Sequence, residues 1–414
     1  MKKSILLLAC VSFVYTSNAQ VIIDTVSIGT GYANQKWYSL QNDEQGSAPK
    51  NNWDIAFDAG GQGASIHINS VTGTKLWLYP GADTSGWATL DTAGLSTWIA
   101  RYNSDTSWSV GAFNQPLSSN PYDLGWGIYS TITHYVTGDS LYVIKLASGT
   151  YKKIWIKLLA NGVYTFRYAN LSGTSDTTAQ LTKSLYTGKN FAYYSLQNNL
   201  ALDREPLSAN WDLLFTQYTA FIPSPYTVSG ILHNAGVTTA HIEPIANPNT
   251  YSNWSGQTYN TAINEIGYDW KTFTTSYVID DSLVYFIKTK TGDVWKVIPT
   301  GFGGSSTGNY IFSKEKVSSV GIANVNGNSL GTLVLYPNPA SGENTTVIYS
   351  FESSVSSAII KIYDLSGKSV YSENLRANTG LNTYKLNTSM FNAGMYFVTV
   401  ECDGNKLQQK LIVK

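Results

Sequence analysis

Apolar and polar residues alternate in short runs along nearly the whole chain, and clusters of Gly, Asn, Asp and Ser bound the runs. Clear examples lie at 141–146, 153–159, 163–168 and 283–289. A period of two sends successive side chains to opposite faces, so each run reads as a half-buried strand. No long segment carries the 3.6-residue period of an amphipathic helix; the best helical stretch is 93–101. The pattern predicts an all-β protein.

The strands fall into a repeat. Tyr38-Ser39-Leu40-Gln41-Asn42 returns as Tyr194-Ser195-Leu196-Gln197-Asn198, and Asn52-Trp53-Asp54-Ile55-Ala56-Phe57 returns as Asn210-Trp211-Asp212-Leu213-Leu214-Phe215. Further on, 135–145 returns as 277–288, each followed by a Gly-containing turn and then Trp155 or Trp295. Shared landmarks in one order predict two tandem β-domains, 20–180 and 181–320. The Trp fills a core from one strand face, and the Asp beside it accepts backbone hydrogen bonds in a neighbouring turn.

Composition narrows the setting. Only 13% of residues are charged, against ~25% in ordinary globular chains. Lys+Arg and Asp+Glu balance at 27 each, which leaves no basic footprint for nucleic acid. The 29 Tyr and 12 Trp suit extracellular β-structure. Cys10 and Cys402 are the two cysteines, so the span between them offers neither a disulfide framework nor a thiolate metal site.

The N-terminus reads as a secretory signal at 1–19: Lys2 and Lys3, an apolar stretch from Ile5 to Tyr15, then Ser17-Asn18-Ala19 before Gln20. That stretch is too short for the roughly 20 residues a bilayer requires. Leu7-Leu8-Ala9-Cys10 spells a competing lipoprotein cleavage box. A small, polar, Gly/Asn-rich run at 321–332 reads as a linker. The last segment, 333–414, has turns at Ser366-Gly367 and Asp403-Gly404. It is long enough for an immunoglobulin-like sandwich of about seven strands.

That last segment resembles the type A C-terminal sorting domain of the type IX secretion system of Bacteroidetes. The matching residues are Leu335-Tyr336-Pro337-Asn338-Pro339, Ile362-Tyr363-Asp364-Leu365-Ser366-Gly367-Lys368, Leu386, 391–398 including Gly394, and the terminal 410–414 from Lys410 to Lys414. The resemblance implies recognition by the type IX translocon. It also implies removal by a sortase-like peptidase that joins the body to lipopolysaccharide at the cell surface. Pro337 and Pro339 suit an extended entry into the first strand, and Gly367 and Gly394 suit turns or close backbone approaches.

Each repeat of the body resembles the HmuY-like family of secreted or surface-anchored β-proteins, some of which bind haem. The matching residues in the first repeat are Trp37-Tyr38-Ser39-Leu40, 53–57, the glycine-rich 60–65, 125–129, 142–145 and 164–168. Haem binding in that family implies two loop histidines around the iron. Of His67, His134, His233 and His241, only His67 and His134 are haem-ligand candidates, and both read as strand residues. The expectation is therefore no cofactor, with haem kept as an alternative.

Catalytic signatures are missing: there is no His-Glu-x-x-His helix, Gly-x-Ser-x-Gly elbow, Walker loop or dinucleotide fingerprint. Trp77, Trp87, Trp98 and Trp108 lie in a Ser/Thr/Asp/Asn-rich stretch and are candidate contacts to a glycan or another flat ligand. The sequence predicts a secreted, non-catalytic binding protein, with haem capture and glycan adhesion as alternative ligand chemistries.

Overall fold

A computed structural model describes residues 21–81, 83–116, 118–318, 333–340, 342–351, 356–376, 378–402 and 405–414. The expected signal peptide, the linker and the Asp403-Gly404 turn lie outside them. Regular structure among the described residues is dominated by β-strands, and their one α-helix is the single turn Gly304–Thr307. The chain divides into two compact units, a body through Ser318 and a C-terminal unit.

The body contains two sandwiches of the same design. In the first, an outer sheet runs in the order Thr177–Thr182, Val163–Asn170, Tyr151–Ala160, Tyr142–Lys145, Lys75–Leu78 and Ala100–Arg101. Its inner sheet runs Leu200–Leu202, Phe191–Ser195, Ile55–Asp58 and Ile66–Ile68. In the second, the outer order is Ile22–Ser27, Asn309–Lys316, Val294–Phe302, Val284–Lys288 and Thr238–Ile242. Its inner sheet is Asp43–Pro49, Asn34–Ser39, Leu213–Phe221 and Pro225–His233. Each strand of the second sandwich has a counterpart in the first, whose outer sheet carries additional strands, but the sandwiches are cut differently from the sequence repeats. The first copy of Tyr-Ser-Leu-Gln-Asn completes the second sandwich, and the second copy completes the first.

The Trp-Asp motifs explain the closure. Asp54 accepts from Gln197 N–H at 3.1 Å and from the Ser195 hydroxyl at 3.2 Å, while its own N–H donates to Tyr194 O. Asp212 accepts from Leu40 N–H at 2.8 Å, and its N–H donates to Tyr38 O. Each Asp thus pins the turn of the other repeat copy, as an adjacent-turn acceptor should. Two buried asparagines finish the pattern: Asn69 and Asn234 donate to the Trp53 and Trp211 carbonyls.

Inner strands are apolar on both faces because both faces are covered. Ile55, Phe57 and Tyr194 point into the first core, whereas Ala56 and Tyr193 point away from it. Tyr38, Leu213 and Phe215 enter the second core, whereas Trp37 and Leu214 do not. These outward faces form a seam, stitched by Trp108 Nε1 donating to His233 O and by Asn190 donating to Asn234.

The helix expected at 93–101 is absent. Gly94 takes a φ of 72°, Leu95–Thr97 makes one 3₁₀ turn, and Ala100–Arg101 pairs with Trp77 and Leu76 as a strand. A left-handed glycine and a sheet edge in need of partners outweigh a weak helical pattern.

The C-terminal unit is a seven-strand sandwich: Leu333–Tyr336, Asn344–Phe351 and Gly380–Asn387 face Ser369–Leu375, Ala358–Tyr363, Gly394–Cys402 and Asn405–Val413. Val347, Ile360, Ile362, Leu386, Val398 and Leu411 fill its core.

Candidate ligand sites and the sorting domain

One opening in the body is a groove of about 640 Å³ beside the glycine-rich ribbon 60–64. Lys183 holds the ribbon from below, donating to the Gly60 and Gly63 carbonyls. Asp58 accepts from Gly60 N–H at 2.7 Å and lies 3.8 Å from the Lys183 ammonium. Burial pushes the Asp58 carboxyl up and the Lys183 amine down from their usual values. A Cβ on Gly63 would fall 2.2 Å from the Asp58 carboxylate, so any other residue there would push that carboxylate from its place. The Trp126 indole N–H fastens Ala64 O at 3.0 Å.

The opposite wall carries Tyr122, Tyr129 and His134. The two tyrosine rings lie 6.3 Å apart, and the Tyr129 hydroxyl is hydrogen-bonded to His134 Nδ1 at 2.8 Å. Gln62 and Asn161 also line the groove and are exposed. Volume and lining suit a small-molecule or saccharide pocket.

His134 is not the strand residue the sequence predicts. It sits in the turn between Gly127–Tyr129 and Val136–Gly138 with a φ of 60°, its N–H bonded to Ser130 O. His67 is a strand residue and is buried; a ring nitrogen lies 2.8 Å from Trp108 O, and burial lowers its pKa to about 4. His67 and His134 line different cavities. Trp77, Trp87 and Trp98 belong to one cluster on the outer face of the first outer sheet. Trp87 there lies between Arg167 and Lys153, 4.6 and 4.9 Å from its ring. Trp108 instead lines the seam. Sequence reading missed Tyr122 and Tyr129; Tyr129 ends the strand that leads into the His134 turn, and Tyr122 lies just before that strand.

The seam holds a second cavity, of about 90 Å³. Glu205, on its wall, accepts from Asn190 N–H at 2.8 Å and from the Tyr193 hydroxyl at 2.9 Å. Burial pushes its pKa up to about 7. The neighbouring Arg204 guanidinium stacks 4.8 Å from Tyr193 and donates to Gln35 and Pro49 O. An acid with a raised folded pKa keeps its proton in the fold after the unfolded chain has lost it. Stability therefore falls as pH rises from ~4.3 through about 7 and then levels. Urea unfolding of the full chain at pH 5 and pH 8 should show this decline, on the order of 3 kcal/mol. Glu205→Gln should flatten it, and an unchanged slope would remove Glu205 as its source.

In the C-terminal unit, the proline-containing segment straps the last strand. Asn338 donates to Lys410 O at 2.6 Å and accepts from Ile412 N–H at 3.0 Å, while Ala340 N–H donates to Ile412 O. Tyr336, Lys410 and Lys414 are exposed. Gly367 has a φ of 80° in the turn closed by Asp364, as expected. Gly394 differs from expectation: its φ is not in the left-handed region, and a Cβ would meet nothing closer than 3.9 Å.

Comparison with known proteins gives this unit an identity. The secretion system C-terminal sorting domain matches residues 334–414. No HmuY-like match accompanies it, and no curated protein matches the chain. A solved polysaccharide lyase aligns over 97% of this chain and 47% of its own at 8% identity and a TM-score of 0.18, so this chain spans about half its length. The BSP domain of a biofilm-associated protein aligns over 98% and 84% at 7% identity and the same TM-score. Residues 334–414 are a sorting domain of the type IX secretion system, and they direct this protein to the cell surface or the medium.

Proposed function

We propose that the exported body is a non-catalytic binding protein whose groove takes a carbohydrate. The observation that carries this is the wall itself. Tyr122 and Tyr129 offer ring faces while Gln62, Asn161 and His134 bring hydrogen-bonding groups to the same opening. Aromatic faces beside convergent polar groups suit a sugar ring, whose two sides are apolar C–H and polar O–H. The test is an array of bacterial and host polysaccharides probed with the full chain. Saturable binding to a defined glycan is the expected result, and an array without hits would remove the carbohydrate reading.

One observation favours haem as a second reading: the Tyr129 phenol bonded to His134. Tyrosine is a haem ligand, and a histidine that takes up its proton would strengthen the phenolate. A hemin titration separates the two. The haem reading requires a saturable Soret band that is lost in both Tyr129→Phe and His134→Ala; the carbohydrate reading expects no such band.

A further inference from the structure

Charge balance over the whole chain hides a local excess. The strands of the first sandwich's outer sheet carry Lys and Arg but not one Asp or Glu, whereas their counterparts in the second sandwich include Asp24 and Glu315. On the outer face of that sheet two cations are already committed. Arg167 pairs with Asp176, and Lys153 is buried and donates to Trp87 O at 2.7 Å. Lys75, Lys145 and Lys157 are not: among the described residues none of them has an ion-pair or hydrogen-bond partner. Lys75 is exposed, and the other two are partly so. Lys145 stands directly opposite Lys75 on the neighbouring strand. Such a pairing of like charges destabilises a sheet, and an anion would relieve it. Lys145 also lies 5.7 Å over the Tyr151 ring, which stacks on Trp77 at 6.2 Å, and Lys157 lies 5.1 Å over Trp155.

We propose that this face is a second binding surface, separate from the groove, and that its partner is an acidic polysaccharide bearing carboxylates along its chain. Charge sets the partner's sign. Lys75 and Lys145 form a doubly cationic point that no acid of the sheet compensates, so complementarity selects an anion. The rings hold the ammonium groups in place, which reduces the freedom they lose when an anion arrives. Length follows from Lys157. It lies six residues beyond Tyr151 on the same strand (157 − 151 = 6), roughly 20 Å at the rise of a strand. Trp87 sits between the two ends, over Lys153. A ligand that engages both ends is therefore a polymer and not a single sugar. Single-stranded nucleic acid fits less well, because its bases need open ring faces and Tyr151 is already engaged by Trp77 and Lys145. The sorting domain also delivers the body outside the cell, where a carboxylated polysaccharide is the polyanion such a surface meets.

The test uses the full chain with polygalacturonate as the acidic probe and its fully methyl-esterified form as the same backbone without charge. Titration calorimetry should show saturable binding of polygalacturonate that weakens about tenfold between about 50 and about 200 mM salt. The esterified polymer should not bind. Lys75→Gln/Lys145→Gln should keep the parent chain's melting temperature and weaken polygalacturonate by about tenfold or more. Lys157→Gln should weaken it by about threefold. Lys75→Arg/Lys145→Arg keeps both charges and should bind as the parent does. Equal binding of the two polymers, no binding at low salt, or unaltered affinity in the folded Gln variant would overturn the proposal. Tighter binding of single-stranded DNA or polyglutamate than of polygalacturonate would overturn it as well.

Discussion

Deleting residues 405–414 should abolish the protein's appearance outside the cell while leaving the body folded. The deleted segment is a whole strand of the sorting domain. It pairs along its length with Gly394–Cys402 and buries Leu407, Leu411 and Val413. Each such side chain contributes roughly 2 kcal/mol on burial, and a domain of this size has only about 5–15 kcal/mol in hand. The strap centred on Asn338 would lose its partner at the same time. A translocon that reads a folded module would then find none. The body is a separate compact unit with its own cores and should survive. Immunoblots of periplasm, surface and medium decide the matter. Asn338→Ala, which removes two hydrogen bonds and no strand, should reduce export only in part. Undiminished export of the truncated chain would show that the signal lies elsewhere.

The double substitution Asp54→Ala/Asp212→Ala should unfold the body or bring it to the edge of unfolding. Removing the Asp54 carboxylate orphans the Gln197 N–H and the Ser195 hydroxyl in a partly buried turn; removing the Asp212 carboxylate orphans the Leu40 N–H. A fully buried donor left unpaired costs about 1–3 kcal/mol, and the part-buried ones sit at the lower end of that range. The pair together should cost roughly 3–5 kcal/mol, a large part of a typical domain's stability. The two sites lie in different sandwiches, so the single losses should add in urea unfolding curves. Asp→Asn variants retain one acceptor oxygen and should lose less. Losses within the scatter of surface substitutions would mean that these motifs do not hold the turns in solution.

Much of this architecture could be read from residue order alone. Strand alternation predicted the all-β fold, and the recurrence of Trp53-Asp54 at Trp211-Asp212 revealed a doubled body. The order of Leu335-Tyr336-Pro337-Asn338-Pro339 and the terminal Lys410 to Lys414 pointed to the sorting domain. Long-range partnership was not legible, because pattern fixes which face of a strand is apolar but not what covers it. Thus Leu213 and Leu214 read alike, although one enters a core and the other faces the seam. The same limit hid the roles of Asn69 and Asn234, whose signal was their shared place after His-containing strands. Trp77, Trp87 and Trp98 looked like ligand contacts because their loop is polar, yet together they cover the outside of a sheet. His134 was read as a strand residue because its neighbours alternate; its positive φ puts it in a turn that faces the groove.

The most direct test of the central claim is equilibrium binding of the strongest array glycan to the full chain and to its Tyr122→Ala variant. Tyr122 is half exposed on the groove wall, and its ring supports none of the body's cores. Folding should therefore be intact and affinity should fall by about tenfold or more. Undiminished affinity in the folded variant would contradict the assignment of the groove as the ligand site.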